Sequence, residues 1–221
     1  MPRLAPTPRT RVRRVPKRAV YDRAAIEAIL DEALVAHLGF LHDGRPAVIP
    51  TLHARVGDVV YVHGSAAGRA VRTLGGAARA CLTVTLADGV VLARSAFHHS
   101  LNYRSVVLLG TMRLVTGHDE RLRALEAFTE QLLPGRWAAV RPPNRQELKG
   151  TAVLALPLAE ASAKVRTGPP VDEDEDLALD VWAGLLPLRT VVGAPEPDAH
   201  MPAGAPAPDH VAGWRPTAGR R

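Results

Sequence analysis

The stretch "PAVIPTLHARVGDVVYVHGSAAGRAVRTL", Pro46 to Leu74, decides the reading of the fold. Two strand-like runs, "PAVIPTLHARV" and "VGDVVYVHG", meet at Gly57-Asp58, a tight turn signal. Strands joined this closely run antiparallel. The second run leads directly into "SAAGRAVRTL", which reads as a short helix capped by Ser65.

The neighbouring segments extend the pattern. Upstream, Asp22 caps a helix over "RAAIEAILDEAL", with Ile26, Ile29, Leu30 and Leu34 at helical spacing. The strand "AHLGFLH" and the turn signal "DGR" follow it. Downstream, "ARACLTVTL", "ADG" and "VVLARSAF" read as a hairpin, and "YRSVVLLGTMRLVT" as a long strand. "HDERLRALEAFTEQLL" is an amphipathic helix with Leu122, Leu125, Phe128 and Leu132 on one face. "TAVLALPLAEASAKVR" returns to strand. Roughly seven strands joined mostly by tight turns predict a mainly β (α+β) fold, an antiparallel barrel or coiled sheet with a few helices. No G-x-G-x-x-G opens a helix, and strands do not alternate with helices, so a doubly wound fold is excluded.

The chain has 221 residues, 47% of them apolar, which suits one domain over 19–192. The Pro/Arg-rich 1–18 and the Pro/Ala/Gly-rich 193–221 are expected to be disordered. The net charge is +6, but Arg3, Arg9, Arg11, Arg13, Arg14, Lys17 and Arg18 lie in the first segment, which has no acid. The body is therefore near neutral with a basic arm, read as a solvated leader rather than a nucleic-acid tail. Aromatics at 4% are too few for an obvious base-stacking platform. No apolar run reaches ~18 residues, so no membrane span is expected, and the N-terminal arginines are not followed by a secretory apolar region. Cys81 is the single cysteine, which excludes an intrachain disulfide and a Cys-based zinc site and suits a cytoplasmic protein. Its alternating context, "RACLTVTL", predicts a small buried hydrophobe.

Chemistry concentrates at two places. Gly64-Ser65-Ala66-Ala67-Gly68-Arg69 offers unpaired N–H groups, close backbone approach and an arginine fork, the parts of a phosphate cradle; an ordinary capped helix with a surface arginine is the alternative. "AFHHSLNYRSVVLLG", Ala96 to Gly110, places polar residues at the edge of a buried strand. A buried Arg104 needs an anionic partner, either a phosphate or a carboxylate such as Glu126. Adjacent strand residues face opposite sides, so His98 and His99 do not converge on one metal. The "DEDED" run, Asp172 to Asp176, reads as a solvated turn, and no metal site is read. Trp137 reads as a packing residue.

The ordered pieces "GRPAVIPTLHARVGDVVYVHGSAAGRAVRTL", "FHHSLNYRSVVLLGTMRLV" and "ELKGTAVLALPLAEASAKVRTGPPVDEDEDLALDVWAGLLPL" resemble the pyridoxamine 5′-phosphate oxidase-like flavin-binding proteins, in the branch with the nitroimidazole-resistance proteins. The resemblance implies a split β-barrel homodimer with FMN at the subunit interface. It implies Val48, Ile49, Pro50 and Thr51 along the flavin ring, and His63, Gly64, Ser65 and Arg69 at the phosphate. It places Arg104 and Ser105 beside the cofactor, and Trp182 and Arg189 at the neighbouring subunit's site. Gly68 and Ala70 stand where relatives often carry serine and a second basic residue. Arg189 lacks the Arg-x-His partner of true pyridoxamine phosphate oxidases, so vitamin B6 oxidation is not implied. The activity implied is an FMN-dependent oxidoreductase passing electrons from NAD(P)H or a reduced partner to a small-molecule acceptor. His63, His98, His99 and Tyr103 are its candidate acid–base groups. The alternative is a non-catalytic module for flavin, haem or deazaflavin.

Overall fold

The computed structural model describes residues 3–202 and 204–215. The elements run in the order β1 (Ala19–Val20), α1 (Arg23–Glu32), β2 (Val35–His42), β3 (Arg45–Val56), β4 (Val59–Ser65), α2 (Arg69–Leu74), β5 (Arg79–Leu92) and β6 (Ser100–Thr111). They continue as β7 (Arg113–Leu114), α3 (His118–Leu132), α4 (Arg145–Gly150), β8 (Thr151–Pro157), β9 (Glu160–Arg166), β10 (Gly184–Pro187) and α5 (Asp209–Ala212). The strands form one antiparallel sheet in the order β1-β9-β6-β5-β2-β3-β4-β8-β7, with β10 on β5. The fold is the expected antiparallel, mainly β one.

Closure follows from chain length. β8 and β9 stand far apart in that order, yet only Leu158 and Ala159 separate them. The sheet must therefore curl until its two ends meet. α1 touches β3, β5, β6 and β9 and fills the space inside the curl. Its cap is as read: Asp22 accepts a hydrogen bond from the Ala25 N–H at 2.9 Å. Ile26 and Leu30 join Leu38, Leu82, Leu108, Leu154 and Leu156 in the main core, whereas Leu34 lies beyond the helix and is exposed. A smaller cluster, Tyr61, Val115, Ala124, Phe128 and Val153, packs beneath α3.

Several expectations are corrected. Ser65 ends β4; α2 is capped by Gly68, whose missing Cβ would otherwise meet the Ser65 carbonyl at 2.9 Å. The "ADG" stretch is no hairpin turn. β5 runs straight through it and pairs with β6 on both sides of a bulge between Ala87 and Gly89. The single strand read over "TAVLALPLAEASAKVR" is two strands with different partners, because β8 pairs with β4 and β9 with β6. Cys81 lies half-buried on the outer face of the sheet, opposite Gly39, not in the core.

The basic arm, expected to be disordered, is fastened to the body. The Leu4 N–H donates to the Tyr21 carbonyl at 2.9 Å, and Arg3 bridges to Asp22. Tyr21 donates its hydroxyl proton to the Thr10 carbonyl and accepts from the Val12 N–H, while Thr7 and Arg9 both bond Glu160. Asp172, at the head of the acidic run, is also anchored rather than solvated, accepting from the Arg94 N–H at 2.8 Å and its guanidinium at 2.9 Å. The tail expectation covers 193–221, of which 203 and 216–221 lie outside the described residues; the described part is mostly irregular and exposed apart from α5.

The outer face of the sheet is unusually apolar. Residues in register share a face across a ladder. One row therefore holds Val48, Gly39, Cys81 and Leu109, and the next Pro50, His37, Thr83 and Val107. Val48 and Leu41 on this face are 67% and 62% exposed.

Candidate functional site

β4 alternates Val60 and Val62 into the main core with Tyr61 and His63 on the face that α3 covers. That alternation delivers His63 to the wall of a cavity of about 500 Å³ between β3, β4, α3 and the segment leading into α4. Leu52, Leu125, Phe128, Leu132, Trp137 and Val140 line it, with Arg141 and Glu147 also in its wall. The His63 and Phe128 rings meet edge to face with centroids 4.4 Å apart. His63 Nδ1 is buried and has no hydrogen-bond partner among the described residues. Burial lowers the proton affinity of the ring and so favours the neutral imidazole. Arg141 pairs with Glu147 through bonds of 2.9 and 2.5 Å. Glu147 is also the return arm of a capping box with Asn144, and the Arg141 guanidinium first, then the Asn144 N–H, hold its carboxyl at about 2. An apolar cavity of this size with a neutral imidazole and a charged pair in its wall suits a cofactor with a flat apolar body and an acidic rim.

Around the Gly64–Arg69 turn, Ala66 and Gly68 commit their N–H groups to the carbonyls of Gly150 and Ser65. The Arg69 side chain is exposed and makes no hydrogen bond or ion pair among the described residues. It is free to meet an anion.

The four residues expected along a flavin ring do not share one surface. The pleat sends Val48 and Pro50 outward, while Ile49 packs against the core and Thr51 is half-buried. What they share is an edge: β4 pairs only with His53–Val56, so among the described residues no strand flanks the first half of β3 on that side.

Arg104 is corrected. Its guanidinium is bound by Glu32 at 2.5 and 2.7 Å and by Asp88 at 2.7 and 2.9 Å, neither of them the Glu126 suggested by sequence. The Glu32 carboxylate first, then that of Asp88, raises its proton affinity well above the ordinary arginine value. Ser105 donates to the Lys164 carbonyl at 3.3 Å. The polar edge is thus satisfied from within the chain. His98 pairs with Glu173 at 3.2 Å, and His99 Nδ1 donates to the Ser95 carbonyl at 2.9 Å. No metal-binding cluster occurs among the described residues. Trp182 and Arg189 lie exposed in the C-terminal segment. Sequence reasoning missed Leu52, Val140 and Arg141 as cavity residues; its one signal there was Trp137, an aromatic in the polar stretch after an amphipathic helix.

Residues 22–165 match the family described as pyridoxamine 5′-phosphate oxidase. Among curated proteins, none is significantly similar to the chain. The flavocytochrome Anf3 from Azotobacter vinelandii is 44% identical over 96% of this chain and 99% of its own, with a TM-score of 0.89. An FAD and haem binding protein from Mycobacterium smegmatis is 38% identical over 89% of this chain and 96% of its own, with a TM-score of 0.85. A structure from Bacteroides thetaiotaomicron assigned to 5-nitroimidazole antibiotic resistance covers 66% of this chain and 86% of its own at 20% identity, and its TM-score of 0.57 supports the fold alone. The family match spans the sheet from α1 to β9, and the two relatives of higher identity span nearly all the rest: the chain belongs to the pyridoxamine 5′-phosphate oxidase family.

Proposed function

We propose that the chain is a redox protein that binds a flavin and a haem, working as a homodimer. The observation that carries the reading is the buried, unpartnered nitrogen of His63 in an apolar cavity of about 500 Å³. Support comes from the two relatives named above for a flavocytochrome and for FAD and haem binding. When bound, a flavin and a haem supply two- and one-electron chemistry.

The chain's own residues divide the binding. His63 offers a lone pair to iron, and burial keeps that lone pair free of a proton at neutral pH. Leu52, Leu125, Phe128 and Trp137 exclude water from the cavity. Arg141 meets an acidic rim. Arg69 meets the flavin phosphate, and the unflanked edge of β3 offers backbone groups to the ring through Val48–Thr51. The exposed apolar face with Val48 and Leu41 is covered by a second copy. The flavin is FMN on the resemblance read from the sequence, whereas the M. smegmatis relative is named for FAD; extraction and chromatography of the bound flavin decide the form. Electrons pass from a reduced donor to a small acceptor.

The test is the absorption spectrum of protein made in haem-supplied cells. Wild type is expected to show flavin bands and a Soret band. His63→Ala is expected to keep the flavin bands and lose the Soret band. A wild-type spectrum without a Soret band, or a His63→Ala variant that retains it, overturns the assignment.

A further inference from the structure

The anchored arm carries charge that the fold leaves unmatched. Glu160 neutralises Arg9, and Asp22 is occupied as the cap of α1. Arg11, Arg13, Arg14 and Lys17 are exposed, Arg18 is half-buried, and none has a carboxylate within salt-bridge distance among the described residues. The β1–β9 pairing sets Ala19 opposite Lys164, which brings Arg18 alongside the end of β9 and Arg166. Arg166 is only 7% exposed, and its acceptors are neutral: Asn102 Oδ1 and the carbonyls of Gly168 and Pro169. Burial first, then the charge of Arg18, lowers its proton affinity, so the two cations feel each other.

This arrangement is held, not incidental. Val15 sits in the left-handed region, with φ 52°, at the bend between Arg14 and Pro16. A β-branched residue there is strained and persists only where the surroundings impose it. A fixed cluster of like charges destabilises the isolated protein and favours association with an anionic surface.

We propose that the anchored basic segment carrying Arg11, Arg13, Arg14, Lys17 and Arg18, which runs into β1 beside β9, docks an acidic one-electron carrier protein, of the flavodoxin or iron–sulfur ferredoxin class. The proposal rests on the redox reading above, which needs a reduced donor. The described residues hold no parallel strand pair and so no βαβ nucleotide unit of their own. Transient redox partners meet through small, charge-steered interfaces. Each encounter oxidises the carrier by one electron and reduces a cofactor on this chain by one electron, with no bond made or broken. A protein is favoured over nucleic acid because the patch is short and carries no aromatic to stack on a base.

The test uses the holoprotein and a quadruple variant, Arg11→Glu, Arg13→Glu, Arg14→Glu and Lys17→Glu, all exposed positions. Reduction by an acidic plant-type ferredoxin is followed by stopped flow, with photoreduced deazariboflavin as a small reductant that needs no docking surface. The ferredoxin rate is expected to fall roughly tenfold or more between about 0.01 and 0.15 M ionic strength. The variant is expected to lose a similar factor at low salt, with its deazariboflavin rate unchanged. Ferredoxin rates indifferent to salt and to the variant overturn the proposal, as does a variant that loses DNA binding while its ferredoxin rate is unchanged. Failure of the redox reading itself shows before mixing, as absent chromophore bands. Salt-sensitive titration of the oxidised carrier then supports the docking surface, and its absence removes it.

Discussion

Arg104 is held between two carboxylates, so its removal strands them. The Glu32 side chain is only 10% exposed, and breaking a pair that far buried costs energy chiefly through the charge left behind. Arg104→Ala is expected to lower stability by about 2 kcal/mol in urea denaturation, less than for a fully buried pair because Asp88 is partly solvated. Flavin affinity is expected to be unchanged; lost flavin binding with intact stability would contradict this placement. His53 gives a pH dependence. Its Nε2 donates to the Leu30 carbonyl at 2.9 Å, which leaves Nδ1 buried and without a partner among the described residues. Burial lowers its proton affinity, only partly opposed by the Leu30 bond and the charge of Asp31. Below the unfolded value of ~6.5 the unfolded chain therefore binds the proton more readily, and stability falls as pH falls. The urea midpoint is expected to be lower at about pH 5.5 than at about pH 7.5, with a shallower dependence in His53→Asn, by at most ~1.4 kcal/mol per pH unit. At this scale the sequence showed that Arg104 needed a partner but not which one, because Glu32 lies 72 residues away in the chain. The resemblance put His63 at a phosphate; the turn beside it was visible in sequence, and the α3 wall that it faces was not.

Among the elements, the tight turns were the readable parts. Asp43 and Gly44 both adopt positive φ, as a type I′ hairpin requires, and "DGR" announces it. The β5 bulge was misread because "ADG" is equally a turn signature, and only pairing across to β6 distinguishes the two. Gly89 at that bulge serves the C-terminal segment. A Cβ there would meet Leu185 Cδ1 at 2.8 Å and the Leu186 carbonyl at 3.1 Å. Gly89→Ala is therefore expected to lift β10 off β5, raising limited-proteolysis rates across residues 170–192 several-fold while core stability changes by less than about 1 kcal/mol. Unchanged cleavage would show that β10 is not held by this contact. The split pairing of β3 was invisible in sequence, because "PAVIPTLHARV" reads as one uniform strand.

For the molecule as a whole, composition located the charge in the arm but not its attachment. Of the residues that fasten it, Glu160 lies 153 positions beyond Thr7, and Tyr21, nine beyond Val12, gives no periodic signal that ties it to the arm. The antiparallel, curled architecture was readable because it follows from turn spacing; the pairing that closes it was not, since that depends on which strands β8 and β9 choose. The exposed apolar outer face is the feature that a single chain leaves uncovered by its own packing, and the proposed homodimer places a two-fold related copy over it. The most direct check is sedimentation velocity of the purified holoprotein, recorded at the flavin and Soret bands together with the protein absorbance. Both chromophores are predicted to travel with a species of twice the chain mass. A colourless boundary at the mass of one chain would contradict the account.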